Sequence, residues 1–188
     1  MPMRIERVLI DRERIAARVS ELGARLAADL RADLAREGID PETQPDRIVL
    51  LPIMTGAMVF TADLIRHMPL PLSMRLVTVS SYAGATTRSK GAMLRGALPG
   101  DLGGRHVVVI DDILDSGQTL ALVEELVREQ EPASLRICVL LDKKVDRQVE
   151  VRPQYVGFEI PDEFVVGYGL DYDGFFRNLP EVAVLGVG

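Results

Sequence analysis

Val107–Leu120, VVVIDDILDSGQTL, is the stretch that decides how the chain is read. Val107 to Ile110 form an apolar run with no alternation, which predicts a strand buried on both faces. Asp111 and Asp112 follow it. Asp115, Ser116, Gly117, Gln118 and Thr119 then lead into the helical run TLALVEELVREQ. A buried strand, an acidic turn and a helix make one β–α unit. In an open α/β sheet ligands bind beyond the carboxyl ends of the strands, so this loop is also where chemistry is sought.

Working outward, the same alternation recurs. RIVLLPI at 47–53, MRLVTVSSY at 74–82 and LRICVLL at 135–141 are further apolar runs, with the helical stretch AMVFTADLIRHM between the first two. The prediction is an α/β fold with a central, mostly parallel sheet flanked by helices. Towards the N-terminus, Ile15, Val19, Leu22, Leu26, Leu30 and Leu34 recur at helical spacing, and Gly38 is placed as a stop. The C-terminal third differs, with EFVVGYGL and VAVLGV as short strands among Gly, Pro and Asp turns.

A chain of 188 residues, 47% of them hydrophobic, suits a single domain with a substantial core. Its 22 Lys and Arg against 28 Asp and Glu give a net charge of −6, so a broad basic face for duplex nucleic acid is not expected. The one cysteine, Cys138, lies in an apolar run, which predicts a buried structural thiol in a reducing compartment. No stretch of ~18 uninterrupted apolar residues is present, and the first residues lack a signal-peptide pattern. A cytoplasmic protein with no membrane partner is the expectation. His67 and His106 have no Cys or His neighbour at metal spacing, so zinc is not expected.

The turn Ser116-Gly117-Gln118-Thr119 opens a helix, and the backbone N–H groups and hydroxyls there suit a phosphate. The GxxxxGK[ST] pattern is absent. Carboxylates beside a phosphate repel it unless they have another task, such as accepting hydrogen bonds from sugar hydroxyls or holding Mg²⁺. A phosphorylated sugar meets both conditions. The competing reading makes Asp115 or Ser116 a simple helix cap.

At these residues the sequence resembles the type I phosphoribosyltransferases, whose hallmark is a strand ending in two acids before a phosphate loop. Asp115, together with the stretch VGFEIPDEFVVGYGLDYDGFFRNLPEVAVL at 156–185, is similar to the 6-oxopurine branch. The resemblance runs from about residue 45 onward. It implies a core at about 40–145 and a small hood built from the N-terminal segment and about 146–188. It also implies transfer of phosphoribose from 5-phosphoribosyl pyrophosphate to hypoxanthine and guanine, with Mg²⁺, in a homodimer or homotetramer.

Residue by residue, the resemblance gives Asp111 and Asp112 the ribose hydroxyls and the loop Asp115 to Thr119 the 5′-phosphate. Asp115 is also the general base or acid at purine N7. Lys143 donates to the 6-oxo group, Phe164 stacks on the base, Ile113 lies on its other face, and Val165 offers backbone at its edge. Asp171 stands near Mg²⁺, through water, with Asp111 and Asp112 indirect. Arg177 meets the pyrophosphate. Thr55 and Gly56 occupy the pyrophosphate loop, where the family usually has Lys or Arg before the Gly, and the bond before Thr55 is expected to adopt cis. Ser81 and Tyr82 match a mobile lid. Two other readings stand beside this one: a xanthine-preferring transferase, which would share every catalytic group, and a non-catalytic regulator that senses the sugar pyrophosphate, which keeps the paired acids but can dispense with Asp115 and needs a basic nucleic-acid face.

Overall fold

A computed structural model of the chain describes residues 4–81, 92–94, 98–147 and 149–186. The N-terminal periodicity becomes α1 (Arg12–Arg36), capped by the Asp11 carboxylate, which accepts from Arg14 N at 2.8 Å. The six residues of its apolar stripe are all buried. Burying a Leu or Val side chain is worth about 1.5–3 kcal/mol, so the stripe dominates the stability of this helix.

The four apolar runs assemble with β2 (Ile48–Met54) and β6 (His106–Leu114) at the centre, β7 (Ser134–Lys143) beside β6, and β4 (Val77–Ser81) beside β2. These pairs are parallel. β5 (Ala92–Leu94) adds antiparallel to β4 at one edge. Alternation explains the layers. Leu50, Val108, Ile110 and Cys138 face α1 and α2 (Met58–Leu64), while Val49, Leu51, Val107, Val109 and Val139 face α3 (Gln118–Arg128). Strands buried on both sides are apolar at every position, as the sequence required. Cys138 is fully buried, and burial pushes its thiol up to about 12.

Four expectations are corrected. The run at 74–82 is two strands, β3 (Ser73–Met74) and β4, in one register along β2: Arg75 N still donates to Leu50 O at 2.9 Å, but Pro52 has no N–H with which to continue the ladder. β6 does not end before the acids: Asp111 pairs with Val139 and Ile113 with Leu141, so the carboxylates are held by the ladder itself. The boundary near 145 shifts, since β8 (Tyr155–Ile160) pairs with β7 and extends the main sheet. Finally, EFVVGYGL yields only the two-residue β9 (Val165–Val166), because Gly167, Tyr168 and Gly169 all have positive φ and turn the chain.

β9 belongs to a second, three-stranded sheet in the order β1 (Arg4–Ile10), β10 (Val182–Gly186), β9. The two terminal segments thus pair with each other, Arg4 opposite Gly186. Among the described residues no helix is long and apolar enough to cross a membrane.

Candidate active site

Three carboxyl ends of the main sheet converge: the turn after β2, the end of β6 and the end of β7. Between the first two lies a cavity of about 450 Å³, with Asp115, Ser116, Gly117 and Thr119 on one wall and Met54, Gly56 and Arg177 opposite. Gly117 precedes α3 at φ +82°, and a Cβ there would meet Val149 O at 2.3 Å, so this position admits only glycine. No side chain caps α3. Ser116 Oγ is 3.5 Å from Gln118 N, at the limit of a hydrogen bond. The simple-cap reading of Asp115 therefore has no support in the geometry, and the loop meets the cavity at the positive end of the helix, where an anion is favoured.

Beneath the loop sit the paired acids. Asp111 is buried, accepts from Asp112 N at 3.1 Å, and is held well above the usual carboxylate range by burial and then by the charge of Asp112. Asp112 is raised as well, chiefly by burial, with Arg177 opposing the rise. Two like charges this close cannot both ionise freely, so the pair keeps a proton above the ordinary range. A Cβ on Gly56 would lie 2.0 Å from Asp112 Oδ2. Gly56 is thus what lets the turn after β2 pack against the acid. Arg177 pairs with Asp171, Nη2 to Oδ1 at 2.7 Å, and Asp171 Oδ2 accepts from Gly174 N at 2.7 Å.

A smaller cavity of about 190 Å³ opens between the end of β7 and the segment around β9, lined by Ile113, Lys143, Phe164, Val165, Asp115 and Asp171, among others. Phe164 is 48% exposed and meets Tyr172 edge-on, with ring centroids 5.6 Å apart. A large ring left half in solvent at a cavity mouth offers a stacking surface. Its backbone is fixed by Leu185 N, which donates to Phe164 O at 2.9 Å, while the neighbouring Glu163 is gripped by Arg7 at 2.6 Å. Lys143 Nζ stands 3.0 Å from Asp162 Oδ1 and 3.4 Å from Asp115 Oδ2. Burial works against its charge, yet the hydrogen bond to Asp162 and the field of Asp115 outweigh it and raise the ammonium's pKa. The two cavities share Asp112, Ile113, Asp115 and Asp171, so one wall serves both.

Most of the predicted residues meet here. Thr55 is exposed and does not line the cavity; Met54 and Gly56 do, and the Met54–Thr55 bond is cis. Gln118 opens α3 but is not on the cavity wall. Ser81 closes β4, and Tyr82 lies outside the described residues. Sequence reasoning missed Asp162, whose carboxylate holds Lys143, and Arg147, which bridges two loops. For Asp162 a signal existed in its place two residues before Phe164. A lone loop arginine gives none.

The donor set bears on metal binding. Asp112 and Asp171 present only oxygen, which suits a small hard cation. Among the described residues no group of three or more His, Cys, Asp or Glu forms a metal cage. Such a site suits a cation that keeps its water and shares a phosphorylated ligand.

A phosphoribosyl transferase domain matches residues 13–173. The hypoxanthine phosphoribosyltransferase of Haemophilus influenzae is 42% identical over 172 residues, covering 92% of this chain and 90% of the relative. The hypoxanthine-guanine phosphoribosyltransferase of Bacillus subtilis is 40% identical over 181 residues, covering 96% and 93%. Among solved structures, a hypoxanthine-guanine phosphoribosyltransferase of Bacillus anthracis superposes with a TM-score of 0.83 at 33% identity, covering 98% of this chain and all of that one. With a helix-opening anion loop, paired acids and a shared second cavity, the chain belongs to the phosphoribosyl transferase family.

Proposed function

We propose that the chain transfers phosphoribose from 5-phosphoribosyl pyrophosphate to hypoxanthine and guanine, a purine-salvage reaction in the cytoplasm. The observation that carries this reading is the meeting of the Lys143 ammonium and the Asp115 carboxylate, 3.4 Å apart, on the edge between the two cavities. An ammonium in the base pocket favours a carbonyl at purine C6. An amino group there would face the cation with a donor and leave both unmatched. The names of the relatives support the same bases.

In this reading the anion loop holds the 5′-phosphate, Asp111 and Asp112 accept from the ribose hydroxyls, and Arg177 with the backbone of Met54 to Gly56 receives the pyrophosphate. Phe164 and Ile113 sandwich the base, with Val165 backbone at its edge. As the N9–C1′ bond forms, the C1′–O bond breaks and its electron pair leaves with pyrophosphate. The imidazole proton passes through N7 to Asp115. Lys143 is held protonated by Asp162 and Asp115, so it donates to the oxo group throughout. Asp171, through water, and Asp112 would hold Mg²⁺, which when bound supplies charge neutralisation on the leaving group.

The resemblance also favours a homodimer or homotetramer, to be read by light scattering. The function is tested by product formation from hypoxanthine, guanine, xanthine and adenine, side by side with Mg²⁺ and the sugar pyrophosphate. Hypoxanthine and guanine should turn over and adenine should not. Preference for xanthine, or equal use of adenine, overturns the assignment.

A further inference from the structure

Arg147 lies in the loop after β7 and takes no part in lining either cavity, yet its guanidinium reaches three groups at once. Nε donates to Asp115 O at 3.2 Å, Nη2 donates to Lys143 O at 2.8 Å, and Nη2 also pairs with the Asp142 carboxylate. The side chain is 21% exposed, so these bonds are partly shielded from water. Two residues on, Val149 N donates to Ser116 O at 3.4 Å, and Val149 O packs where a Gly117 side chain would be.

These contacts have a geometric consequence. In a trans peptide the C=O of one residue and the N–H of the next point in opposite directions. Fixing Asp115 O towards Arg147 turns the Ser116 N–H the other way, and fixing Ser116 O towards Val149 does the same for the Gly117 N–H. Both peptides are anchored from behind by their carbonyls, which leaves their donors facing forward. Successive N–H groups beside a left-handed Gly117 make an anion-binding concavity. The same guanidinium holds Lys143 O, so one planar fork sets the spacing between the phosphate loop and the end of β7. Arginine suits this task because its donors are fixed relative to one another.

We propose that Arg147 is a positioning residue that pre-organises the 5′-phosphate seat and locks it to the strand end carrying Lys143. The phosphate half rests on the family membership, and only the Lys143 half rests on the proposed use of a 6-oxopurine. Pre-organised donors need no rearrangement when the anion arrives, and a displacement of ~1 Å in such a site costs up to about 100-fold.

The test compares the parent with Arg147→Met and Arg147→Lys. Ribose 5-phosphate affinity is measured by calorimetry, KM for the sugar pyrophosphate and kcat with hypoxanthine by steady-state kinetics, and thermal midpoint alongside. Arg147→Met should weaken ribose 5-phosphate and raise KM for the sugar pyrophosphate by about 10- to 100-fold. Arg147→Lys keeps a charge for Asp142, and with it the fold, but cannot span both carbonyls. It should weaken ribose 5-phosphate by several-fold with little change in midpoint. Parent-like ribose 5-phosphate affinity in either folded variant overturns the proposal, whatever happens to the midpoint. Should the parent fail to use hypoxanthine, the functional assignment falls, while the ribose 5-phosphate comparison still decides the role of Arg147.

Discussion

At the amino end of the main sheet, Asp33 of α1 sits 7% exposed between Arg36 and Arg136, each in direct contact with its carboxylate. His106, which opens β6 and is 1% exposed, has Nδ1 2.8 Å from Ser134 Oγ, which also accepts from Arg136 Nη1 at 2.7 Å. At the carboxyl end of the same strands, Asp111 is just as buried but its charged neighbour is another acid. Both ends bury charge, with opposite logic. The first sets the buried carboxylate against two guanidinium groups, which makes it a fastening. The second keeps like charges together, and that is stable only because the surrounding ladder holds them in place. Local frustration of this kind marks the end that meets a ligand.

The largest test of this contrast is Asp115→Asn. Asn keeps the shape and the hydrogen-bonding reach but cannot take a proton, so turnover should fall by ~10² to 10⁴ while the thermal midpoint barely moves. If the midpoint drops and turnover per folded molecule does not, Asp115 belongs with the fastenings. At the other end, Asp33→Ala leaves Arg136 buried without its counter-charge, and urea titration should show a loss of about 3–5 kcal/mol with activity per folded molecule preserved. A loss below about 1 kcal/mol would mean that the amino-end cluster is decorative.

The smallest effect carries the sharpest sign. The Asp111 carboxyl is raised in the folded state, so the protonated form is the one that folding favours. Its stabilising contribution is complete below the unfolded pKa of about 3.9 and is lost as pH rises through the folded value. At neutral pH the unfolded chain ionises this acid freely and the fold opposes it, so the buried carboxyl is a cost there, and Asp111→Asn should stabilise the ligand-free protein by about 0.5–2 kcal/mol while lowering turnover. The gain should disappear in melts run below about pH 4. An Asn variant less stable than the parent at neutral pH would show that the two ends of the sheet do not differ in kind.

Period was the most legible property of this sequence. The α1 stripe and the doubly buried strands follow from spacing and unbroken apolar runs, because packing imposes those patterns directly. The end of β6 was hidden, since acids are poor strand formers and only the ladder to Val139 and Leu141 keeps them extended. β8 was hidden for a related reason: Gly157 and Glu159 dilute a short edge run. Asp115 and Lys143 are far apart in the chain, and no periodicity joins them. Family resemblance paired them. Arg147 was invisible to both approaches, because a loop cation that acts on backbone oxygens leaves no mark in composition or spacing.

The pairing of β1 with β10 also sets a timetable. β1 emerges from the ribosome well before its partner, so it has no mate until residues 182–186 exist. Phe164 takes its backbone anchor from Leu185, and Glu163 takes its grip from Arg7, so this wall of the smaller cavity closes only when β1 and β10 are both in place. At a synthesis rate of roughly 5–20 residues per second, β1 waits on the order of ten seconds or more as an unpaired edge. Its charged residues Arg4, Glu6 and Arg7 suit that wait, since an edge dotted with charge is slow to find a partner on another chain. The wall that carries Phe164 is in effect finished only once residues 182–186 are made, and a nascent chain cut short before them is left without it.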